Sequence, residues 1–432
     1  MKSFASPTNN NLHVFFRIFV SIQSYPMKRS GTADLPLHYG HVPLWLAERM
    51  SKLGLAIVET IAMEFSTSEV ISKLSNPFWF QSFGAVMGMD WHSSGITTSV
   101  LGALKKSVNP HSKELGIYIC GGKGKHSMMT PQELLFVGEK TGLDGINLAN
   151  CSRLTAKVDN TAIQDGFQLY QHNFIVDNKG QWAVIQQGMN PNSKTARRYH
   201  WHSQDLKSFV EEPHTFIYGE NQGTILNLTA QTAAKSREGI LELAKESPAK
   251  IMKEMQYLSM PAHHDVRMED VNMKRLGAML WATHENKPED FEELLLLKGM
   301  GPRALQSLAL VSEVIYGTPT RFEDPARFSF AHGGKDGHPF PVPVKIYDET
   351  IDTLQRAIHR AKIGNNDKID AIRKLSEISR KAEESFTPNT NFEALVQRER
   401  DESHKYGGRT VFGDAKPPKK KPLNPGNQLE LF

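Results

Sequence analysis

Cysteine is almost absent from this chain of 432 residues, which contains only Cys120 and Cys151 and no Cys-x-x-Cys pair. Two cysteines cannot build a disulfide framework, and the missing pair motif excludes a cysteine zinc finger. Such low cysteine use suits a reducing compartment. We therefore expect a cytoplasmic protein whose stability rests on an apolar core.

Long apolar runs are also lacking. The apolar segment 11–22 is shorter than a transmembrane helix and is interrupted by Arg17, which also disfavours a signal peptide. A second methionine opens the polar run 27–31, so we expect residues 1–26 to be a disordered extension upstream of the working start, with a targeting peptide as the alternative. No membrane partner is expected.

Neither sign of charge dominates, because the formal net charge is only +4 over the whole chain. This value argues weakly for a polyanionic partner. Hydrophobic residues make up 39% and charged residues 23%, as in soluble globular proteins with enough length for two or three domains. No internal repeat is present.

The most informative stretch is 288–317, where two apolar helical patterns flank a short glycine turn. Asn286 or Asp290 can cap the first helix, and Pro302 suits the first position of the second. The turn resembles the helix-hairpin-helix motif of DNA repair and replication proteins. That resemblance implies contacts to a nucleic-acid backbone, without base reading, by the four residues Lys298, Gly299, Gly301 and Arg303. An ordinary helical hairpin is the alternative.

The last five residues differ from the polar, lysine-rich tail that precedes them. An exposed apolar end has no folding reason, so we expect it to fill a partner's pocket. It resembles the QLxLF peptide by which bacterial polymerases and repair proteins bind the sliding clamp. The resemblance implies clamp binding by Gln428, Leu429, Leu431 and Phe432. A chance apolar end, or one that packs on its own domain, is the alternative.

A β-hairpin is predicted by strands at 167–176 and 181–187 around a turn at 177–180. Acidic residues precede it, and polar groups on the strands could place Mg²⁺ or Mn²⁺ against a phosphate. The candidate residues are Asp159 and Asp165, as metal ligands and catalytic groups, with His172 and Gln187. The pattern loosely resembles the PD-(D/E)xK nuclease core, but the expected acid and lysine of the second strand are missing. The alternative is that both aspartates only cap turns.

Three further stretches offer polar groups. In an extended segment 197–202, His200 and His202 share one face, while Arg197, Tyr199 and Trp201 share the other. Arg197 and Arg198 are candidate DNA contacts, and His200 is a candidate catalytic group. The glycine loop 121–127 could form an anion nest with Lys123 and Lys125, but it is not a P-loop, so no nucleotide cofactor is expected. Asp90 and His92 are further site candidates, although a serine hydrolase is discounted.

Several stretches together resemble an uncharacterised bacterial and archaeal family, domain of unknown function 763, from residue 27 to about residue 365. These are GTADLPLHYG, PFWFQSFG, DWHSSG, GGKGK, KVDN, QDGFQLY, WAVIQQGMN, ARRYHW, LLLLKGMGPRAL and FSFAHGGKDG. The resemblance supports residue 27 as the start and implies no established activity.

The predicted fold has four parts. Residues 1–26 are the extension, and residues 27–228 form an α/β domain that contains the β-hairpin sheet and the candidate catalytic groups. Residues 229–386 form an all-α domain with the helix-hairpin-helix, and residues 387–432 form a disordered tail that ends in the clamp-binding peptide.

The favoured function is a DNA-processing or repair protein, a nuclease recruited by the sliding clamp. The alternative is a non-catalytic DNA-binding repair adaptor. A DNA glycosylase is a weaker hypothesis, since Arg303 stands where lyase enzymes of that class carry a lysine and the flanks of Asp324 do not match. A small-molecule enzyme that binds phosphate at the glycine loop is also weaker. The sequence does not establish whether the protein is an enzyme, or its oligomeric state.

Overall fold

A computed structural model describes residues 35–36, 44–89, 95–193, 195–204, 206–219, 221–254, 273–326, 344–384, 409–410 and 413–414. The helices of this part are α1 Leu44–Glu64, α2 Thr67–Ser75, α3 Pro77–Val86, α4 Gly95–Val108, α5 Ser112–Leu115, α6 Lys125–Met128, α7 Thr130–Thr141, α8 Gly145–Lys157, α9 Ala234–Lys245, α10 Pro248–Glu254, α11 Met273–Asn286, α12 Phe291–Leu296, α13 Pro302–Tyr316, α14 Val344–Arg360 and α15 Asn365–Glu384. A π-helical turn, Val158–Ala162, follows α8, and 3₁₀ turns occupy Asn109–His111 and Gln231–Ala233.

The strands are β1 Leu35–Pro36, β2 Ile117–Lys123, β3 Ile163–Gln164, β4 Gln168–Asp177, β5 Trp182–Asn190, β6 Thr195–His202, β7 Phe216–Tyr218, β8 Thr224–Asn227, β9 Arg321–Glu323, β10 Arg409–Thr410 and β11 Gly413–Asp414. The main sheet has six strands, in the order β1-β6-β5-β4-β2, with β7 also paired to β6. Every pair in it is antiparallel. A smaller sheet has the order β3-β8-β9, and β10 pairs with β11.

Helices cover both faces of the main sheet. Along the central strands β4 and β5, apolar residues point both ways, as in strands that are buried on two sides. One face, here called the hairpin face, shares an apolar cluster with α8, α9 and the helices α11 to α13; its sheet members are Cys120, Phe174, Val176, Trp182, Val184 and Trp201. The other, here called the amino-terminal face, shares a cluster with α1 to α4; its sheet members are Ile117, Ile119, Ile175, Ala183 and Ile185.

The predicted fold class, an α/β domain followed by an all-α domain, is wrong. The structure is a mixed α/β fold whose antiparallel sheet lies in the middle of two helical layers. Leu354 and Ile358 of α14 and Leu375 of α15 join the amino-terminal cluster with Met50 and Ile57 of α1. Strand β9, which follows the hairpin helices, pairs with β8. Chain order concealed this arrangement, because the late helices pack on elements far away in the sequence. The predicted limits at residues 228 and 386 stay predictions.

The predicted β-hairpin and the predicted helical hairpin are confirmed, unlike the predicted fold class. Strands β4 and β5 form the predicted β-hairpin, with Gly180 at a φ of 82° in the turn. Helices α12 and α13 form the predicted helical hairpin, and Asp290 caps α12 by accepting a hydrogen bond of 2.8 Å from the Glu293 amide. Within the described ranges, no helix combines the length and apolarity that a bilayer crossing requires.

Candidate functional site

The hairpin turn presents backbone and positive charge at the surface. Met300 is buried in the apolar cluster of the hairpin face, and this anchors the turn while Lys298, Gly299 and Arg303 remain exposed. Gly299 has a φ of 90°, a conformation that favours glycine. Gly301, the N-cap of α13, has no side chain with which to cap the helix, so amides of its first turn can donate to an external acceptor. The turn therefore combines two kinds of group that bind phosphate, exposed cations and available backbone amides.

Two side chains, one at the end of α8 and one in β3, hold this turn. The Lys157 ammonium, at the end of α8, donates to the Met300 carbonyl. The Gln164 side-chain amide donates to the Pro302 carbonyl at 2.8 Å. Burial lowers the pKa of Lys157. The hairpin is thus fixed to the π-helical segment that carries Asp159.

Asp159 lies completely buried beneath the hairpin. Its carboxylate accepts hydrogen bonds from three side chains: the Gln186 amide, the Trp201 indole at 3.0 Å, and the His214 imidazole. Burial raises the pKa of Asp159, and the nearby His214 acts in the opposite direction. Since three protein donors already occupy its oxygens, Asp159 has the surroundings of a structural carboxylate.

A hydrogen-bond chain runs from Asp159 into the hairpin face. The Gln186 side-chain oxygen lies 2.8 Å from His172 Nδ1, and His172 Nε2 lies 2.8 Å from Ser152 Oγ. Because an amide oxygen only accepts, Nδ1 carries the proton and Ser152 donates to Nε2. Burial lowers the pKa of His172 to about 4, so the ring is neutral near pH 7. A serine–histidine pair of this kind could act as a nucleophile in an open site, but all of its members are buried.

Asp165 belongs to a second buried network. It accepts from Arg197 at 2.8 Å and from the Tyr199 hydroxyl at 2.6 Å, while Asp324 binds both terminal nitrogens of Arg197 at 2.9 and 2.7 Å. Burial opposes the charge on Arg197, but Asp324 and Asp165 outweigh it and raise its pKa. Burial and the second carboxylate raise the pKa of Asp165. The network ties β6 to the end of β9.

Asp159 and Asp165 do not fit the predicted Mg²⁺ or Mn²⁺ site. The donors that surround them belong to two separate networks, and a hard cation requires carboxylate oxygens free of donors. In the part of the chain that the structure describes, no three His, Cys, Asp or Glu side chains cluster as metal ligands would. The alternative of aspartates with structural roles therefore fits the geometry better.

Gln187, Arg198 and His200 lie on the amino-terminal face, away from Asp159. Gln187 accepts from Thr97 and donates to the Tyr170 hydroxyl, and His200 Nε2 accepts from Arg198 Nε at 2.9 Å. Burial, and then the charge of Arg198, lowers the pKa of His200 well below its ordinary value. The predicted catalytic set is thus divided by the sheet: Asp159, Asp165 and His172 are on one side, and Gln187 and His200 are on the other.

The predicted contacts of Arg197 and Arg198 with DNA need a correction, because both guanidinium groups are wholly buried. The alternation predicted for 197–202 is confirmed, with Arg197, Tyr199 and Trp201 on the hairpin face. Lys123 and Lys125 are exposed, but the Gly121 and Gly124 amides already donate to Glu133 and to the Tyr170 carbonyl. These two amides are therefore not open to an anion.

Several predicted features lie outside the described residues. These are the extension 1–26, Asp90 and His92, and the clamp residues Gln428, Leu429, Leu431 and Phe432. Sequence reasoning also missed residues that the structure brings to the networks, namely Ser152, His214 and the pairing role of Asp324. Lys157 and Gln186 lay in the candidate stretch but were given no role of their own. For Trp201 a signal existed, because strand alternation places it on the face of Tyr199. Gln186 lies on that face because it pairs with Tyr199 across the sheet.

The chain belongs to the family described as protein of unknown function (DUF763), which matches residues 31–342. The match includes β2 to β9 and the whole helical hairpin. No curated protein and no solved structure matches the chain.

Proposed function

We propose that this protein binds the backbone of DNA through the turn between α12 and α13, as a non-catalytic adaptor of DNA repair or replication. The observation that carries the proposal is the contrast within the turn: Met300 is buried, while Lys298, Gly299 and Arg303 are exposed. Two cations beside uncapped amides at a helix N-terminus suit a phosphate. Lys157 and Gln164 hold the turn in that orientation.

The adaptor fits the geometry better than the nuclease does. Asp159 and Asp165 are surrounded by protein donors, and cleavage of a phosphodiester needs groups that reach the substrate. Recruitment by a sliding clamp through residues 428–432 remains part of the proposal and is supported by the sequence pattern alone. Cytoplasmic location is proposed on the low cysteine content.

The test is salt-dependent binding of the full chain to single-stranded, duplex and forked DNA. We expect wild-type binding to weaken with salt, because phosphate contacts release counterions. Replacing both Lys298 and Arg303 with alanine should make the logarithmic salt slope on duplex DNA shallower by about 1.8, at about 0.9 for each phosphate that is no longer neutralised. No binding to any of the three DNAs would contradict the proposal.

Gly301 allows a sharper variant. A Cβ at Gly301 meets nothing within 4 Å, and this residue has a φ of −134°, so Gly301→Ala should leave folding unchanged. The same methyl group would stand where a phosphate approaches, so we expect weaker DNA binding at every salt concentration. Gly102→Ala on the exposed side of α4 is the matched control, since its Cβ also meets nothing within 4 Å. This control should leave binding unchanged, and it should not lower thermal stability, because alanine is favoured over glycine inside a helix by about 1 kcal/mol.

Gels of the same samples with Mg²⁺ or Mn²⁺ distinguish the adaptor from the nuclease. We expect bound DNA to remain intact. Cleavage that persists in Asp159→Asn and Asp165→Asn would locate a nuclease site elsewhere in the chain, whereas cleavage that disappears in these variants, with folding preserved, would restore the predicted site.

A further inference from the structure

One side of α8, here called the outer face of α8, leads away from the hairpin turn. Its members follow one another at spacings of four, three and four residues, which places them on one side of a helix: Ile146, Asn150, Arg153 and Lys157. The opposite side of α8 packs in the apolar cluster of the hairpin face. At the end of the outer face, the Lys157 ammonium donates to the Met300 carbonyl of the turn. The outer face of α8 and the hairpin turn are therefore continuous.

The end of this face nearest the turn is cationic. Helix α8 contains no acidic residue, and its two cations, Arg153 and Lys157, both lie on the outer face. Asn150 accepts a hydrogen bond of 2.9 Å from the exposed Arg153 guanidinium and so holds it on this face. The acidic Asp144 lies at the far end, where it caps the helix. Together with the exposed cations of the turn, this end of the face suits a polyanion.

The far end of the outer face is apolar. Ile146 is 68% exposed, and Leu135 and Phe136 of the neighbouring helix α7 are 37% and 55% exposed. A Cβ at Gly145 would lie 3.1 Å from the Leu135 Cα, so α7 lies against the start of α8. The Lys140 ammonium lies 4.3 Å from the centre of the Phe136 ring. Single exposed apolar side chains are common in proteins, but neighbouring ones indicate an interaction surface.

This combination of groups favours a single-stranded nucleic acid over duplex DNA and over a second copy of the chain. A duplex hides the faces of its bases, whereas a single strand exposes them to aromatic side chains while its phosphates bind cations. In a symmetric dimer the same surface lies on both sides of the interface, so Arg153 would approach the cations of the other copy. The order of the groups, cationic beside the turn and apolar beyond it, fits a strand that leaves a duplex.

We propose that the outer face of α8, with Leu135 and Phe136 of α7, binds single-stranded DNA that extends from a duplex held at the hairpin turn. The inference rests on the proposed function and specifies its substrate, a junction between duplex and single-stranded DNA. The phosphates of the single strand bind Arg153, and its bases contact the apolar end of the surface.

The test compares the affinity of the full chain for a duplex and for the same duplex with a single-stranded extension of about ten nucleotides, a length within the range that single-strand-binding folds cover. We expect the extension to tighten wild-type binding about fivefold or more, the effect of one stacked base. The double variant Phe136→Ala with Ile146→Gln should lose this preference and keep its affinity for the duplex. Ile369→Gln is the matched control, since Ile369 is 53% exposed on α15, and it should keep the preference.

Arg153 provides a second readout through salt dependence. Arg153→Gln should make the logarithmic salt slope shallower by about 0.7 on the extended DNA, the value for one lost phosphate of a single strand, and should not change it on the duplex. Arg373→Gln is the control. Arg373 is also an exposed arginine that donates to the residue three positions before it in a helix, and its replacement should change neither slope.

The results distinguish this inference from the proposed function. Replacing Lys298 and Arg303 should weaken binding of both DNAs, whereas replacing Phe136 and Ile146 should weaken binding of the extended DNA alone. Equal wild-type affinity for the two DNAs, or a preference that persists without Phe136 and Ile146, would overturn the single-strand site and leave the hairpin contact standing. No binding to either DNA would contradict both. Sedimentation without DNA tests the remaining occupant, because a dimer that the Phe136 and Ile146 replacements dissociate would assign this surface to a second copy and overturn the inference.

Discussion

Arg197 and Arg198 are neighbours in the sequence and both are wholly buried, yet strand alternation sends them to opposite faces of the sheet. On the hairpin face, Arg197 binds Asp165 and Asp324, and the two carboxylates raise its pKa. On the amino-terminal face, the described residues that hydrogen bond to Arg198 are neutral, and burial lowers its pKa to about 10. The first arginine joins a network of charged groups, whereas the described surroundings of the second are neutral groups and aromatic rings. Residue type alone does not separate these roles.

The largest effect is expected from breaking the network on the hairpin face. Asp324→Asn removes the carboxylate that binds both terminal nitrogens of Arg197 and also accepts from the Gln222 and Ala326 amides. An imperfectly paired buried charge remains, so we expect a loss of about 3–5 kcal/mol in the free energy of unfolding. Denaturant titration measures it.

The control for this prediction is Asp370→Asn. Asp370 pairs with Arg373 on the exposed side of α15, and exposed pairs contribute at most about 1 kcal/mol. A similar loss in both variants would contradict the structural role of the Arg197 network.

The next effect concerns pH. The pKa of His172 falls from 6.5 to about 4 in the folded protein, so its neutral form stabilises the fold. This contribution is present above pH 6.5 and is lost as the pH falls through about 4, with a full size of about 3 kcal/mol. His172→Gln should therefore flatten the decline of stability between pH 6.5 and 4, as followed by denaturant titration at each pH.

Two features make the pH test specific. The direct partners Ser152 and Gln186 do not titrate in this range, and the raised pKa of Asp159 acts in the opposite direction in both proteins. His126→Gln, at an exposed position, should keep the wild-type slope. An unchanged slope in His172→Gln would mean that His172 does not become charged on unfolding in this range as we expect.

The smallest effects compare single hydroxyl groups on the two faces. Tyr199→Phe removes a hydrogen bond of 2.6 Å to the Asp165 carboxylate, and Thr97→Val removes hydrogen bonds to neutral Gln187 and to Arg198. We expect losses of about 1.5–3 kcal/mol for Tyr199→Phe and about 0.5–1.5 kcal/mol for Thr97→Val, because Tyr199 donates to a carboxylate whereas Thr97 donates to a neutral amide. Equal losses in the free energy of unfolding, measured in parallel denaturant titrations, would contradict an electrostatic difference between the two faces.

Sequence patterns predicted the local elements because their causes are local. The glycine at position 180 and the alternation on either side specify the β-hairpin, and Asp290 with Pro302 marks two helix starts. The position of the late helices could not be predicted in this way. Leu354 and Ile358 look like the stripe of a separate helical domain, and only their long-range packing on α1 shows otherwise.

The sequence singled out polar residues of the buried networks but not their geometry. Asp159, Asp165 and His172 were candidates for a catalytic site, and the structure places them in buried hydrogen-bond networks of the hairpin face. The buried networks of these residues depend on partners far away in the sequence. Arg197, which binds Asp165, also binds Asp324 at a distance of 127 residues along the chain, and no local pattern identifies such a partner. Exposed catalytic carboxylates and buried structural ones look alike in a sequence.

The contact between Lys157 and the Met300 carbonyl spans 143 residues, and that between Gln164 and the Pro302 carbonyl spans 138. During synthesis, the first partner of each pair emerges long before the second. Contacts that close such long loops carry a high entropic cost and slow folding. The hairpin turn therefore becomes oriented late, after most of the described sheet has been synthesised. In a nascent chain that ends before residue 300, Lys157 would lack this acceptor. The hairpin face of the sheet would not yet be covered by α13.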